Sequence, residues 1–186
     1  MRLKEDAIPK DKQGRPDISR YTDSAQYYVA MYQQYLDASA SRNYDANLEF
    51  RRRVHATWGL IAKGVEAVPH ALAMLKGKDA DAREDGAAIL AEVGKDSGAV
   101  EQVLEALAAE KDATARDSMV LALGALKARA AIPALAGLIR DAATDGDTRW
   151  TAVESLGRIV RRRFVKESDP VKAAIEWLAK HEKRDE

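Results

Sequence analysis

The sequence predicts an all-α fold in which helical hairpins stack one on the next. Three observations predict it: apolar residues recur at helical spacing, the same residue types return about every 33 positions, and short polar segments of varying length separate the helices. At 186 residues, the chain is long enough for one such array, and nothing in its composition requires a second domain.

The strongest repeat lies in the second helix of each hairpin. Five columns keep a spacing of 33 residues: an aspartate, an arginine, a leucine, a small residue and a further large apolar residue. The columns are Asp79, Asp112 and Asp145; Arg83, Arg116 and Arg149; Leu90, Leu123 and Leu156; Ala91, Gly124 and Gly157; Val93, Leu126 and Ile159. A fourth copy lies upstream at Arg51, Trp58, Gly59 and Ile61. The chain therefore contains four related second helices.

A second set of apolar columns, spaced by 32, predicts the first helix of each hairpin. Its members are Val68, Val100 and Ile132; Ala71, Val103 and Leu135; Leu75, Leu107 and Ile139. The linker inside the hairpin lengthens from "KGKDADA" to "AAEKDATA" to "RDAATDGDT", which reconciles the two spacings. Linkers that vary in length are typical of surface loops.

Glycine inside the second helix needs a reason, because it costs about 1 kcal/mol relative to alanine. Gly59, Ala91, Gly124 and Gly157 occupy the same place in successive repeats. We expect a small residue there to let a neighbouring helix backbone approach closely, since a catalytic role would not recur in every repeat.

The segment "AIPALAGLIRDAATDGDTRWTAVESLGRIV" resembles the short HEAT-like repeat named for the phycobilisome lyases, and the resemblance covers about residues 44 to 164. It implies a right-handed α-α superhelix of about nine helices, with an aspartate–arginine ladder between repeats. The predicted single domain spans 21–183, with repeats at about 23–64, 65–95, 97–128 and 130–164 and a cap helix at 169–183. Asn47 stands at the aspartate position of the first repeat, so we expect a weaker ladder there.

Both ends read as caps of the array. Tyr28, Tyr32 and Tyr35 share one face of a helix predicted to start near Asp23, where Asp23 and Gln26 resemble a capping box. At the other end, Asp169 is the predicted N-cap and Pro170 the first residue of the last helix. Residues 1–20 are predicted to be a flexible arm, because they combine prolines and charges with few apolar side chains.

Composition excludes several kinds of site. Thirty basic and thirty acidic residues cancel, which argues against general binding to a nucleic-acid backbone. The absence of cysteine excludes disulfides and thiolate chemistry, and no apolar run approaches the roughly 18 residues of a membrane span. We therefore expect a soluble cytoplasmic protein.

The histidines do not predict a catalytic or metal site, and we expect no cofactor. His55 falls in a column of buried residues, which favours a hydrogen-bonded core imidazole. His181 and Glu182 form one His-Glu pair near the C-terminus, whereas HEAT-like hydroxylases use several such pairs. The sequence thus favours a protein that is not an enzyme.

In HEAT-like proteins the second helices line the concave face, so residues between the buried columns are the candidate partner-binding residues. They are Arg52, Arg53, Glu84, Asp85, Asp117, Leu121, Trp150, Glu154 and Arg158. This face is basic at its start, acidic in the middle and mixed at its end, which suits a protein partner of complementary charge.

Trp150 and two arginine triplets leave alternatives open. Trp150 stands in a column of charged residues, which predicts exposure, although it could also fold against the preceding linker or the following arginines. We interpret residues 161–163 as a solvated helix end, where positive charge is favourable. The leading hypothesis is a non-enzymatic scaffold that binds another protein. The alternatives are a lyase-type enzyme subunit, and a nucleic-acid-binding protein resembling HEAT-like DNA glycosylases, with Trp150 stacking on a base beside Asp117.

Overall fold

The computed structural model describes residue 12 and residues 17–39, 45–95 and 97–182. Over these ranges the chain forms nine α-helices and no strand, which confirms the predicted all-α class. The helices are α1 (Ala25–Ser39), α2 (Ala46–Ala62), α3 (Val68–Leu75), α4 (Ala80–Val93), α5 (Val100–Ala109), α6 (Ala113–Ala125), α7 (Ile132–Arg140), α8 (Gly146–Val160) and α9 (Pro170–Glu182). The right-handed sense of the superhelix stays a prediction.

The chain divides into two compact units, Met1–His70 and Ala71–Glu186, with the boundary inside α3. Most of the predicted N-terminal arm lies outside the described residues. Its last part does not: Ile18–Arg20 forms a short 3₁₀ turn, and Asp17 caps this turn by accepting a hydrogen bond from the Ser19 amide.

In the first unit, α1 packs against α2 through its tyrosines. Tyr28, Tyr32 and Tyr35 are buried, as their shared face predicts. Ser24, not Asp23, caps α1, because its side chain accepts a hydrogen bond from the Tyr27 amide at 3.3 Å. The predicted capping box is therefore wrong by one residue.

The N-terminus of α2 also departs from the repeat register. Asp45 caps it by accepting hydrogen bonds from the amides of Asn47 and Leu48, at 3.1 and 3.2 Å. The first repeat thus keeps an aspartate cap, but two residues before the position that the columns predict. Helix α2 therefore begins two residues earlier in the repeat register than α4, α6 and α8 do.

In the second unit, the second helices α4, α6 and α8 pack side by side, and α5 and α7 pack against α6 and α8. The leucine column Leu90, Leu123 and Leu156 is fully buried between them. Helix α9 packs on α7 and α8, with Asp169 accepting a hydrogen bond from the Lys172 amide at 3.0 Å. The predicted N-cap and the start at Pro170 are confirmed.

The three glycines of the small-residue column leave room for three different neighbours. A Cβ on Gly124 would lie 2.6 Å from Ser155 Oγ and 2.8 Å from Ser155 Cα, so α6 approaches the α8 backbone closely, as predicted. A Cβ on Gly59 would instead meet the ring of Tyr28, and one on Gly157 would meet the Arg162 carbonyl. Close helix approach therefore explains only one of these glycines.

Each recurrent aspartate caps a second helix. Asp79, Asp112 and Asp145 accept hydrogen bonds from the amides three residues on, at 3.1, 3.0 and 2.9 Å. This confirms their predicted position at the start of the helix, where a carboxylate also complements the helix dipole.

The recurrent arginines do not form the predicted ladder with these aspartates. Arg116 and Arg149 donate to carbonyl oxygens of the linker that precedes their own helix. Arg83 does the same, and its Nε also pairs with Glu110 Oε2 at 2.6 Å. In place of that ladder, the aspartates accept hydrogen bonds from helix amides, and the arginines donate to linker carbonyls and, for Arg83, to Glu110.

Candidate functional site

Helix α8 presents an exposed line of side chains on the face opposite its buried residues. Trp150, Glu154 and Arg158 follow one another at a spacing of four, so they lie on one side of the helix. Trp150 is 46% exposed, and the exposed side of the helix also carries an ion pair in which Arg158 donates to Glu154 at 2.7 Å. Of the two alternatives for Trp150, the structure shows exposure.

The other predicted face residues of the second unit are more enclosed. Leu121 and Glu84 are half-buried, and Asp85 is buried at 9% exposure. The prediction that Asp85 faces outward is therefore wrong, because the folded chain covers nearly all of its surface. The open part of the predicted face is concentrated on α8.

Asp117 ties α6 to α8 instead of presenting a free carboxylate. Thr148 Oγ1 donates a hydrogen bond to Asp117 Oδ1 at 2.5 Å. Burial raises the pKa of the Asp117 carboxyl, with a further contribution from the nearby carboxylates of Asp145 and Asp147, and the hydrogen bond from Thr148 opposes the rise. Its contact with Thr148 positions the first turn of α8, two residues before Trp150.

Arg52 and Arg53 belong to the first unit and have partners there. Arg52 Nη1 contacts both carboxylate oxygens of Glu49, at 2.8 and 2.6 Å, and Glu49 is buried. The guanidinium of Arg53 lies 6.0 Å from the centre of the Tyr35 ring. Both arginines therefore have contacts within the α1–α2 hairpin.

A cavity of about 460 Å³ opens where α8 ends and the chain turns back toward α9. Five of its ten lining residues are basic: Arg158, Arg161, Arg162, Arg163 and Lys166. Glu154 supplies the one acidic side chain, and Val153, Gly157, Phe164 and Val165 complete the wall. The cavity thus continues the exposed line of α8 through Glu154 and Arg158.

The turn at the end of α8 has a defined backbone. Arg161 adopts a left-handed conformation with φ of 58°, and the Arg162 amide then donates to the Gly157 carbonyl at 2.9 Å. This is the helix ending that glycine normally provides. The following 3₁₀ turn, Phe164–Lys166, places the buried Phe164 ring under the cavity.

The basic residues of the cavity differ in their partners. Arg162 pairs with Glu167 at 3.3 Å and lies over the Phe164 ring at 5.1 Å, and Arg158 pairs with Glu154. Within the described residues, the exposed side chains of Arg161, Arg163 and Lys166 have no carboxylate partner. Three cations without a carboxylate partner among the described residues therefore surround one opening.

Sequence reasoning named Glu154 and Arg158 but missed this cavity. It took residues 161–163 for a solvated helix end, and these arginines are indeed exposed. One signal was available: no other second helix ends in an arginine triplet. The triplet at residues 51–53 lies in the first half of its helix. A charge cluster that does not recur is not explained by the needs of the repeat.

His55 and His181 each contact an aromatic side chain. His55 Nδ1 lies 3.4 Å from the Tyr21 hydroxyl, and burial together with Arg51 lowers the His55 pKa. His181 stacks on Trp177 with ring centres 4.0 Å apart. Within the described part of the chain, no three histidine, aspartate or glutamate side chains are grouped as a metal site would need.

Comparisons with known proteins do not assign the chain to a family: no protein-family model matches it, and no curated protein matches it closely enough to indicate a relationship. The HEAT-like assignment therefore stays a prediction that rests on the repeat columns. In the ranges that the structure describes, no helix has the length and apolar character of a membrane span.

Proposed function

We propose that this protein is a non-enzymatic interaction module that binds another protein through the exposed face of its second helices, centred on Trp150. The observation that carries the proposal is the 46% exposure of the Trp150 indole on a well-anchored helix. Tryptophan is among the residues most enriched at the energetic centres of protein interfaces.

The surroundings of Trp150 support the same proposal. The helix that carries it is fixed by the Asp117–Thr148 hydrogen bond near its start and by the close contact of Gly124 with Ser155 in its middle. A rigidly held aromatic side chain loses little conformational entropy on binding. The charged residues that follow it on α8 can orient a partner.

The proposal includes the predicted scaffold role and a cytoplasmic location. A chain with no cysteine needs no oxidising compartment, and this is compatible with the reducing cytoplasm. Stacked helical hairpins present extended surfaces that bind proteins without an enclosed pocket.

The test is affinity capture from native lysate with three baits: wild type, Trp150→Ala and Phe50→Ala. Phe50 is a matched control, because it is also an exposed aromatic residue, at 61%, but lies on α2 of the first unit. We expect Trp150→Ala to weaken partner binding about 30-fold or more, since truncation of an interface centre costs at least about 2 kcal/mol.

Both side chains are exposed, so both variants should unfold within about 1 kcal/mol of the wild type. A protein retained by wild type and Phe50→Ala but lost by Trp150→Ala supports the proposal. Equal capture by all three baits contradicts it, and recovery of nucleic acid alone would replace it with the nucleic-acid alternative.

A further inference from the structure

The cavity at the end of α8, defined above by its five basic residues, carries more positive charge than the end of a helix requires. The positive charge of one residue would suffice to complement the helix dipole at this end. The turn after α6 provides the comparison: its left-handed residue is a lysine, Lys127, at φ of 53°, and the residues on either side of it are uncharged. Three consecutive arginines at the end of α8 exceed this requirement.

Holding Arg161 in a left-handed conformation also has a cost. A side chain with a Cβ is disfavoured there by about 1 kcal/mol relative to glycine. Arg161 is exposed and forms no ion pair with the described residues that would offset this cost. Its place on the wall of the cavity gives the side chain a use that glycine could not supply.

From these observations we infer that the cavity binds the acidic side chains of a peptide segment of the protein partner, next to the contact of that partner with Trp150. The inference rests on the function proposed above and adds the chemistry of the ligand. Arg161, Arg163 and Lys166 supply the unpaired positive charge, and Arg158 can exchange the carboxylate of Glu154 for one from the ligand.

Exchanging the partner of Arg158 costs little free energy because its present ion pair is exposed. The side chains of Arg158 and Glu154 are 46% and 37% exposed, and exposed pairs of this kind contribute about 1 kcal/mol or less. Guanidinium groups bind carboxylates with two parallel hydrogen bonds, which adds direction to the charge attraction.

The wall of the cavity fits a carboxylate attached to an aliphatic chain better than a phosphate. Val165, which is exposed, contributes apolar surface, and Glu154 contributes a carboxylate that would repel a dianion. The end of a helix also points carbonyl oxygens outward, whereas phosphate sites use the amides of a helix start. Glutamate and aspartate side chains meet these conditions.

The geometry of α8 further restricts the ligand. Trp150 and Arg158 are separated by eight residues, which is about 12 Å along a helix. An extended peptide covers that distance in about four residues. The expected ligand therefore carries an apolar side chain for Trp150 and, about four residues away, an acidic group for the cavity.

The experiment measures fluorescence anisotropy of a labelled 12-residue peptide of leucine and glutamate, with a copy in which glutamine replaces glutamate. The binding variant is Arg161→Glu with Arg163→Glu. Its matched control is Lys127→Glu with Arg129→Glu, which makes the same charge change at two exposed residues after α6, outside the cavity. A 12-nucleotide single-stranded DNA is the competing probe.

We expect the acidic peptide to bind at low salt and the glutamine peptide to bind at least about tenfold more weakly. The cavity variant should weaken the acidic peptide about tenfold, and the control variant should leave its affinity within about twofold of the wild type. Equal loss in both variants would show only a general charge effect and would overturn the inference, as would binding of the DNA without binding of the acidic peptide.

The capture experiment separates this inference from the proposed function. If a partner is lost with Trp150→Ala but retained by the cavity variant, the interaction module stands and the acidic ligand is wrong. If the acidic peptide binds the cavity but Trp150→Ala loses no partner, the cavity is a binding site and the placement of the interface on Trp150 is wrong.

Discussion

Arg83 and Arg161 show two opposite uses of arginine within the second unit. Arg83 recurs in every repeat, and its side chain is mostly enclosed, donating to linker carbonyls and to the buried carboxylate of Glu110. Arg161 has no counterpart in the arginine column, is exposed, and borders an open cavity. The difference is one of environment: Arg83 has buried acceptors that tie neighbouring elements together, whereas Arg161 points its charge to solvent at the cavity.

The largest expected effect is on stability and concerns Glu110, the buried partner of Arg83. The hydrogen bond from Arg83 holds the pKa of Glu110 at about 2, below its ordinary value of 4.5, and the amides of Asp112 and Lys111 act in the same direction. Because the pKa is lowered in the folded state, Glu110 stabilises the protein above about pH 5. That contribution, about 3 kcal/mol, is lost as the pH falls toward 2.

Urea unfolding of wild type and Glu110→Gln at pH 7, 5 and 3 checks this. The variant should be less stable by about 3 kcal/mol at pH 7, and the difference should shrink steadily below pH 5. A difference that stays constant with pH would mean that Glu110 contributes by packing, and that the contrast with Arg161 is not one of charge.

A smaller effect tests how closely α6 and α8 pack in the interior of the second unit. Gly124→Ala should lower the free energy of unfolding by about 2 kcal/mol, because the added methyl group meets the Ser155 backbone. Gly137→Ala is the control on α7, where a Cβ meets no atom of the described structure within 4 Å.

The control should raise stability by about 1 kcal/mol, since alanine is the better helix former. Thermal and urea unfolding of both variants give the comparison. Effects of the same sign would contradict the close approach of α6 and α8.

The smallest expected effect sharpens the contrast directly. Arg161→Gly and Lys127→Gly both place glycine in a left-handed conformation. Each should raise the free energy of unfolding by about 0.5 kcal/mol, because the greater freedom of glycine in the unfolded chain offsets part of the strain that is relieved. Only Arg161→Gly removes a cation of the cavity, so only this variant should bind the acidic peptide more weakly. If both or neither variant changed peptide binding, Arg161 would have no special role.

Most of the fold could be predicted from the sequence, because the same pattern occurs in several repeats and each copy supports the assignment of the others. Three copies of an aspartate followed by an apolar stripe defined the second helices, and the structure caps each of them at that aspartate. The predicted cap of α2 was wrong because the aspartate column was extended to Asn47. The helix begins at an aspartate two residues earlier, which the other repeats do not predict.

The candidate site was only partly predictable. The exposed position of Trp150 follows from its column, but the burial of Asp85 and the pairing of Arg83 with Glu110 depend on how adjacent repeats and their linkers meet. The cavity depends on a left-handed turn at an arginine, for which the sequence gives no glycine as a signal. Backbone conformations of this kind are set by the structure around them rather than by local propensity.

The anchoring of α8 has a consequence for the speed of recognition. Its early turn is bonded to α6 through Thr148, its middle lies against Gly124, and the segment after it is buried through Phe164. Under the proposed function, we expect a helix held at three points to bind without rearranging, so that encounter with a partner is not delayed. Partners that compete for it should associate at similar rates and differ mainly in how long they remain bound.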